Sequence, residues 1–518
     1  MRRLVIALTA LLVMAGAVVV VGYLLLFSAV ADRAARATPA DAALYVNLYL
    51  QPSSGQKMNL LGLVGRLPGF RDAATVEDKI GQVAQRLFGT AGIDYGADVS
   101  PWLGTQVALA VAPPGAGGLT MHLLLLAAVR DPIAARAAVP RLMARAGATY
   151  LPETYRGQQA MMGAGTSYAL LDNLLVVADT PDRLRAALDA NADAAPSLAD
   201  SAAYAAAMRT VPADHLASVY VNLGRLVPSD GDGHVGGYAT AALALTAEAD
   251  GVHLDGSAPF AADIASSAAR AAFALGSQRA SLTAWMPRSA AAEVVVFGLQ
   301  QSLVDIEAEM AANPSFAQAS AALNQLRAIA AIGLGINLDR DLLPLFDGEA
   351  AVALRSLDAA GPHGQLLLRP RDRVAAQTAL DRMRDGLVQR GATVTTSQAA
   401  GATVTAVTVP EVGHGAYALA GDVVVLAVDP ADVAAALEAH AGGDTLATDD
   451  RYAAPFERVR PHAGNEMWLG IPGLVDAATG IFDPGSELRD ILHQFGELAM
   501  SASAQAGTLE IHAVLTVK

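Results

Sequence analysis

The sequence has no cysteine. Disulfides, thiolate metal sites and a cysteine nucleophile are therefore excluded, as is a lipid attached through an N-terminal cysteine. Lysine is nearly absent: Lys57, Lys79 and Lys518 are the only three, and the remaining basic residues are arginine. Charged residues make up 16% of the chain and hydrophobic residues 53%, which is not a disordered composition. The net charge is -15, of which Arg2 and Arg3 supply +2, so the rest of the chain carries -17. No basic stripe survives that balance, and binding to nucleic acid or to an anionic membrane surface is excluded as a main activity. A length of 518 residues allows more than one domain.

Complete catalytic and metal motifs are missing too. Ser54-Gly55-Gln56-Lys57 is an S-x-x-K, but the penicillin-binding enzymes that use it also need a K-T-G, and none exists here. Asp230 and Asp232 stand at calcium-loop spacing, yet His234, Val235 and Ala241 occupy the next ligand, glycine and closing-glutamate positions. Gly333 and Gly335 lack the third glycine of a dinucleotide fingerprint, because Leu338 stands there. The ten histidines form no H-x-H or H-x-x-x-H pair. No catalytic residue, cofactor ligand or metal ligand is assigned, and a non-enzymatic protein is expected.

What is present begins with an apolar run. Leu4 to Ala31 carries no charge and no proline over 28 residues, where about 20 span a bilayer. With Arg2 and Arg3 ahead of it, the expectation is an uncleaved single-pass helix with the bulk of the chain extracytoplasmic. The competing reading is a signal peptide cleaved after Ala31, although its apolar core would be unusually long.

One stretch occurs twice, as YALLDNLLVVADTPDRLRAAL from Tyr168 and YALAGDVVVLAVDPADVAAAL from Tyr417. Each reads as strand, polar turn, strand and helix, the turns being Asp172-Asn173 and Gly421-Asp422. Pro181 and Pro430 suit a first helical position. Other pairs keep the same order: Asp98 with Asp341, Arg130-Asp131 with Arg371-Asp372, Ser197-Leu198 with Thr445-Leu446, Tyr204 with Tyr452, and Tyr220 with Trp468. The expected class is α+β, an N-terminal transmembrane helix followed by two duplicated domains, each an antiparallel sheet backed by helices. The expected boundaries are 1–37 for tip, anchor and stalk, 38–260 for the first repeat, 261–280 for an alanine-rich helical join and 281–518 for the second repeat. Asp98 and Asp341 are expected to cap a turn ahead of a strand. Trp102 and Trp468 are expected to be buried.

PADAALYVNLYL after a single anchor, RLPGF at Arg66, DVSPWLG and YALLDNLLVVAD together resemble the bacterial domain of unknown function 3352 family. The resemblance covers the whole region after the anchor. It departs in the second half, where Leu345-Phe346 replaces Trp102-Leu103. It implies an envelope location and brings no substrate, cofactor or catalytic residue. The first expectation is a binding or scaffolding module with an envelope protein partner. The second is a carrier for a lipid or other apolar ligand, and the third an enzyme. An enclosed apolar cavity of several hundred Å3 between sheet and helices would put the carrier first, whereas tight packing inside with an exposed apolar patch outside would support the binding or scaffolding module.

Overall fold

The structure is a computed structural model that describes residues 32–67, 85, 93–113, 121–145, 149–226, 234–301, 303–304, 307, 317–329, 331, 336–358, 361–459, 463–477 and 486–518. The anchor at Leu4 to Ala31 lies outside these, as do the helix expected after Pro68-Gly69, the break at Pro314, the pair Gly333 and Gly335, and the acidic loop at Asp230 and Asp232. Among the described residues no helix is long and apolar enough to cross a membrane. The fold is α+β with antiparallel sheet, and the chain divides into two compact units, 1–261 and 262–518.

Among the described residues the first unit holds ten strands: β1 (Leu44–Tyr49), β2 (Leu103–Ala112), β3 (His122–Val129), β4 (Tyr150–Tyr155), β5 (Gln158–Gly163), β6 (Ser167–Leu170), β7 (Leu174–Ala178), β8 (Ala217–Asn222), β9 (Thr240–Ala247) and β10 (Gly251–Pro259). They pair antiparallel in the order β4-β5-β6-β7-β3-β2-β1-β8-β9-β10. Its helices include α1 (Arg33–Ala37), α2 (Ser54–Val64), α3 (Pro132–Arg145), α4 (Pro181–Asn191) and α5 (Ala202–Met208). Continuous apolar runs such as Leu123 to Leu126 call for cover on both faces, and helices of the same unit supply it. Leu124, Leu126 and Val176 pack on one face against Leu184 and Leu188 of α4. Ala127, Val129 and Leu175 pack on the other against Ala135 and Val139 of α3. The second cover is incomplete, because Leu123 and Leu125 remain 36% and 40% exposed.

In the second unit the strands are β11 (Ala292–Phe297), β12 (Glu349–Asp358), β13 (Gly361–Arg369), β14 (Thr393–Ala399), β15 (Ala402–Val409), β16 (Gly413–Ala420), β17 (Val423–Ala427), β18 (Asn465–Gly470), β19 (Phe495–Gln505) and β20 (Thr508–Val517). Their antiparallel order is β14-β15-β16-β17-β13-β12-β11-β18-β19-β20. Four helices matter here: α6 (Ser267–Leu275), α7 (Arg373–Val388), α8 (Pro430–Gly442) and α9 (Asp450–Val459). Ala351, Ala353, Leu367 and Val423 pack against Val433 and Leu437 of α8. On the opposite face Ala350, Leu368 and Val424 pack against Ala376, Ala379 and Leu380 of α7.

Several local expectations hold. Pro181 and Pro430 stand in the first turn of α4 and α8, each directly after the cap residue, Thr180 and Asp429. Trp102 is 4% exposed and Trp468 fully buried. Others change. Asp172 and Asn173 close their turn without positive φ, while Gly421 takes φ +60°. Pro140 neither splits nor ends α3. Within the stretch expected to join the domains, α6 spans only Ser267–Leu275. In β1 the inward side carries Tyr45 and Asn47, leaving Val46 and Leu48 half-buried or buried less deeply. The polar inward side has a cause. Asp32 Oδ1 accepts from Tyr45 Oη at 2.7 Å and Gln106 Nε2 at 2.6 Å, and its Oδ2 accepts from Tyr204 Oη at 2.9 Å. Gln106 also donates to Asn47 Oδ1, which gives that buried amide oxygen a partner and leaves Asn47 Nδ2 without one among the described residues.

Candidate apolar ligand groove

Glycine opens the site. Gly364 on β13 and Gly415 on β16 place no side chain on the sheet face. Gly364 pairs with Leu354 of β12, just before a register shift between Leu354 and Ser356. There α7 leaves the sheet uncovered. Its first half packs down through Ala376, Ala379 and Leu380, whereas Met383 and Leu387 in its second half face a hollow.

That hollow is a groove of about 590 Å3. Val352, Leu354, Leu366 and Leu426 form its floor, Met383 and Leu387 one wall, and Val407, Val409 and Val412 the other. The lining is overwhelmingly apolar. The groove is open to solvent on one side, so Val352, Val412 and Val428 are 51%, 68% and 50% exposed. A volume of this size lies within the roughly 300–1,000 Å3 of small-ligand sites.

Polar groups stand at one end. Arg384 and Tyr417 line both this groove and a second, polar cavity of about 600 Å3, which also receives Gln377, Asp381, Thr403 and Thr405. Arg384 donates to Asp385 Oδ1 at 2.8 Å and to Asp381 Oδ1 at 2.9 Å, and hydrogen bonding to Asp385 leads the causes that raise its pKa. Burial raises the Tyr417 phenol, which therefore stays protonated and a donor at neutral pH. The arrangement can hold an apolar chain; the groove itself lines up no nucleophile with a base.

The aspartates singled out by sequence are structural. Asp98 and Asp341 lie 6% and 1% exposed, in tight helical turns ahead of β2 and β12. Each accepts from a backbone amide four residues back, Asp94 N at 3.3 Å and Asn337 N at 3.0 Å. Arg340 further binds Asp341 with two hydrogen bonds of 2.8 Å. Ser54 and Lys57 sit within α2, whose cap Ser53 donates to Asp214. Asp444 pairs with Arg288 and Asp449 with Arg451 at the start of α9.

Among the described residues one trio brings metal-capable atoms together, Glu248, Asp250 and His253 on the β9–β10 hairpin. Their spacing matches no zinc motif, so histidine pairing rules did not find it. His253 Nε2 already lies 3.2 Å from Asp250 Oδ1. The groove also escaped sequence reasoning, because its walls come from segments up to about 90 residues apart whose only local signal is glycine within strands.

A family model described as a protein of unknown function (DUF3352) matches residues 4–454. No curated protein matches the sequence. Among solved structures, crystal form I of TP0453 matches at 12% identity over 45% of this chain and 80% of its own, with a TM-score of 0.24. Crystal form III of TP0453 matches at 10% identity over 49% and 90%, with a TM-score of 0.25. Scores this low carry no argument about fold or function.

Proposed function

The chain belongs to the DUF3352 family of unknown function, and we propose that it binds and carries a lipid or another ligand with an apolar chain. The observation behind this reading is the apolar groove between α7 and the sheet. The groove is open to solvent and not the enclosed cavity that the sequence reading asked for; its apolar lining and its volume are what place the carrier above protein scaffolding in this proposal. Its concave shape, walled by α7 and by the β15–β16 side, suits a narrow chain better than a flat protein face. Catalysis is not part of the proposal.

The test uses the full chain in detergent with a fluorescent fatty acid as probe. Val352→Trp fills the floor of the groove, and Val388→Trp serves as the control because Val388 does not line it. We expect saturable binding that V352W weakens about ten-fold or more, about 1.4 kcal/mol, and that V388W leaves unchanged. Equal binding by V352W and the parent chain overturns the proposal.

We also propose that the two units are copies of one domain. Their strand orders correspond position for position, β4 through β10 answering to β14 through β20. Small contacts recur as well. Pro39 bridges Ser197 as Pro287 bridges Thr445. Arg33 N donates to Gln106 Oε1 as Ser281 N donates to Glu349 Oε1. The proposed location is the cell envelope, with the chain held by an uncleaved N-terminal helix. N-terminal sequencing of the mature protein should find Met1 or Arg2; a start at Asp32 contradicts it.

A further inference from the structure

We infer that the second unit carries a binding site for a phosphate-type dianion, distinct from the apolar groove. Four arginines, Arg279, Arg369, Arg371 and Arg373, line one polar cavity of about 370 Å3 together with Glu349 and Asp422. In a chain of net charge -15 this local set has an excess of two positive charges.

The arginines differ in what they already do. Arg369 is committed. Its Nη1 donates to Ser281 Oγ and lies 3.5 Å from Glu349 Oε2, and its Nε lies 3.1 Å from Asp422 Oδ2. Glu349 is buried and accepts from the Ser281 and Leu282 amides, which fixes the floor. Arg279, Arg371 and Arg373 are exposed, and among the described residues their guanidinium groups make no hydrogen bond or ion pair. Arg130, the sequence counterpart of Arg371 in the first unit, is spent instead on the carbonyls of Ser100 and Pro101. Backbone geometry holds the uncommitted set together. Arg371 N donates to Asp347 Oδ1 at 2.9 Å, and Gly348 passes so near the Arg369 carbonyl that a Cβ would lie 2.1 Å from its oxygen.

Guanidinium groups bind phosphate oxygens with paired, charge-assisted hydrogen bonds, and two excess charges match a dianion. The ligand class is inorganic phosphate or a phosphate monoester, free or as the head group of a lipid.

The experiment titrates the full chain in detergent with inorganic phosphate at constant ionic strength. The comparison variants are R371Q/R373Q, R279Q on a separate segment, and R136Q in the first unit as the control. We expect saturable binding, weakened about ten-fold by the double variant and less by R279Q, with R136Q unchanged. Mixed micelles containing phosphatidic acid form a second arm. Retention that the double variant loses identifies a lipid head group as the source, whereas phosphate binding without micelle retention identifies a soluble anion. No saturable binding in either arm, or binding that neither R371Q/R373Q nor R279Q weakens, overturns the inference.

Discussion

Asp32 ties three side chains of the first unit to one carboxylate. Tyr45, Tyr204 and Gln106 all donate to it, and its own Oδ1 also accepts the Ala35 amide that caps α1. Burial, together with this carboxylate, raises the pKa of both tyrosines, which keeps them donors. Leaving a buried donor without its acceptor costs about 1–3 kcal/mol per group. Asp32→Ala is therefore expected to lower stability by at least about 2 kcal/mol in denaturant unfolding. A loss under about 0.5 kcal/mol, the range of ordinary surface substitutions, contradicts this. In the second unit Asp341 is held below its ordinary pKa, first by hydrogen bonds from Arg340, then by the Asn337 amide and the charge of Arg382. A carboxyl with a depressed folded-state pKa contributes stability above its unfolded value, about 3.9, and loses it as pH falls through the folded value. The stability gap between the parent chain and Asp341→Asn should thus be full near neutral pH and shrink below about pH 4. A gap that stays constant down to pH 2 contradicts the assignment.

Strands and turns divide by how local their causes are. Gly364 faces the Ala353 carbonyl so closely that a Cβ would lie 2.1 Å from its oxygen. Gly364→Ala should force the β12–β13 pair apart, at a cost of about 1–3 kcal/mol, and weaken probe binding in the groove. Unchanged stability and binding contradict the placement. In the turn at Arg156-Gly157 both residues take positive φ, at 51° and 74°, and only Gly157 is a local signal for it. The first-turn places of Pro181 and Pro430 were legible from local chemistry. The inward face of β1 is set less locally, since a partner 13 residues earlier, Asp32, draws Tyr45 inward. The place of Asp98 and Asp341 in a turn before a strand could be read; that Asp94 and Asn337 are the caps, with the two aspartates buried and accepting the cap amides, could not.

Across the whole chain, each unit closes its own cores on both faces of its sheet through its own helices. Apolar runs that called for a second cover therefore do not require a partner protein over most of their length. Among the described residues, what stays open is one face: the groove beyond α7 in the second unit, and Leu123 and Leu125 beyond α3 in the first. This remainder could not be read from the chain, because it depends on where a helix stops covering a sheet. Carriage of an apolar ligand is the central claim, and the lipid content of the protein itself tests it most directly. The full chain is extracted from its native membrane, purified in mild detergent, and analysed by mass spectrometry beside V352W prepared identically. The account predicts about one tightly held lipid per chain, largely lost from V352W. A chain that carries no lipid and co-purifies with a stoichiometric protein partner would contradict it.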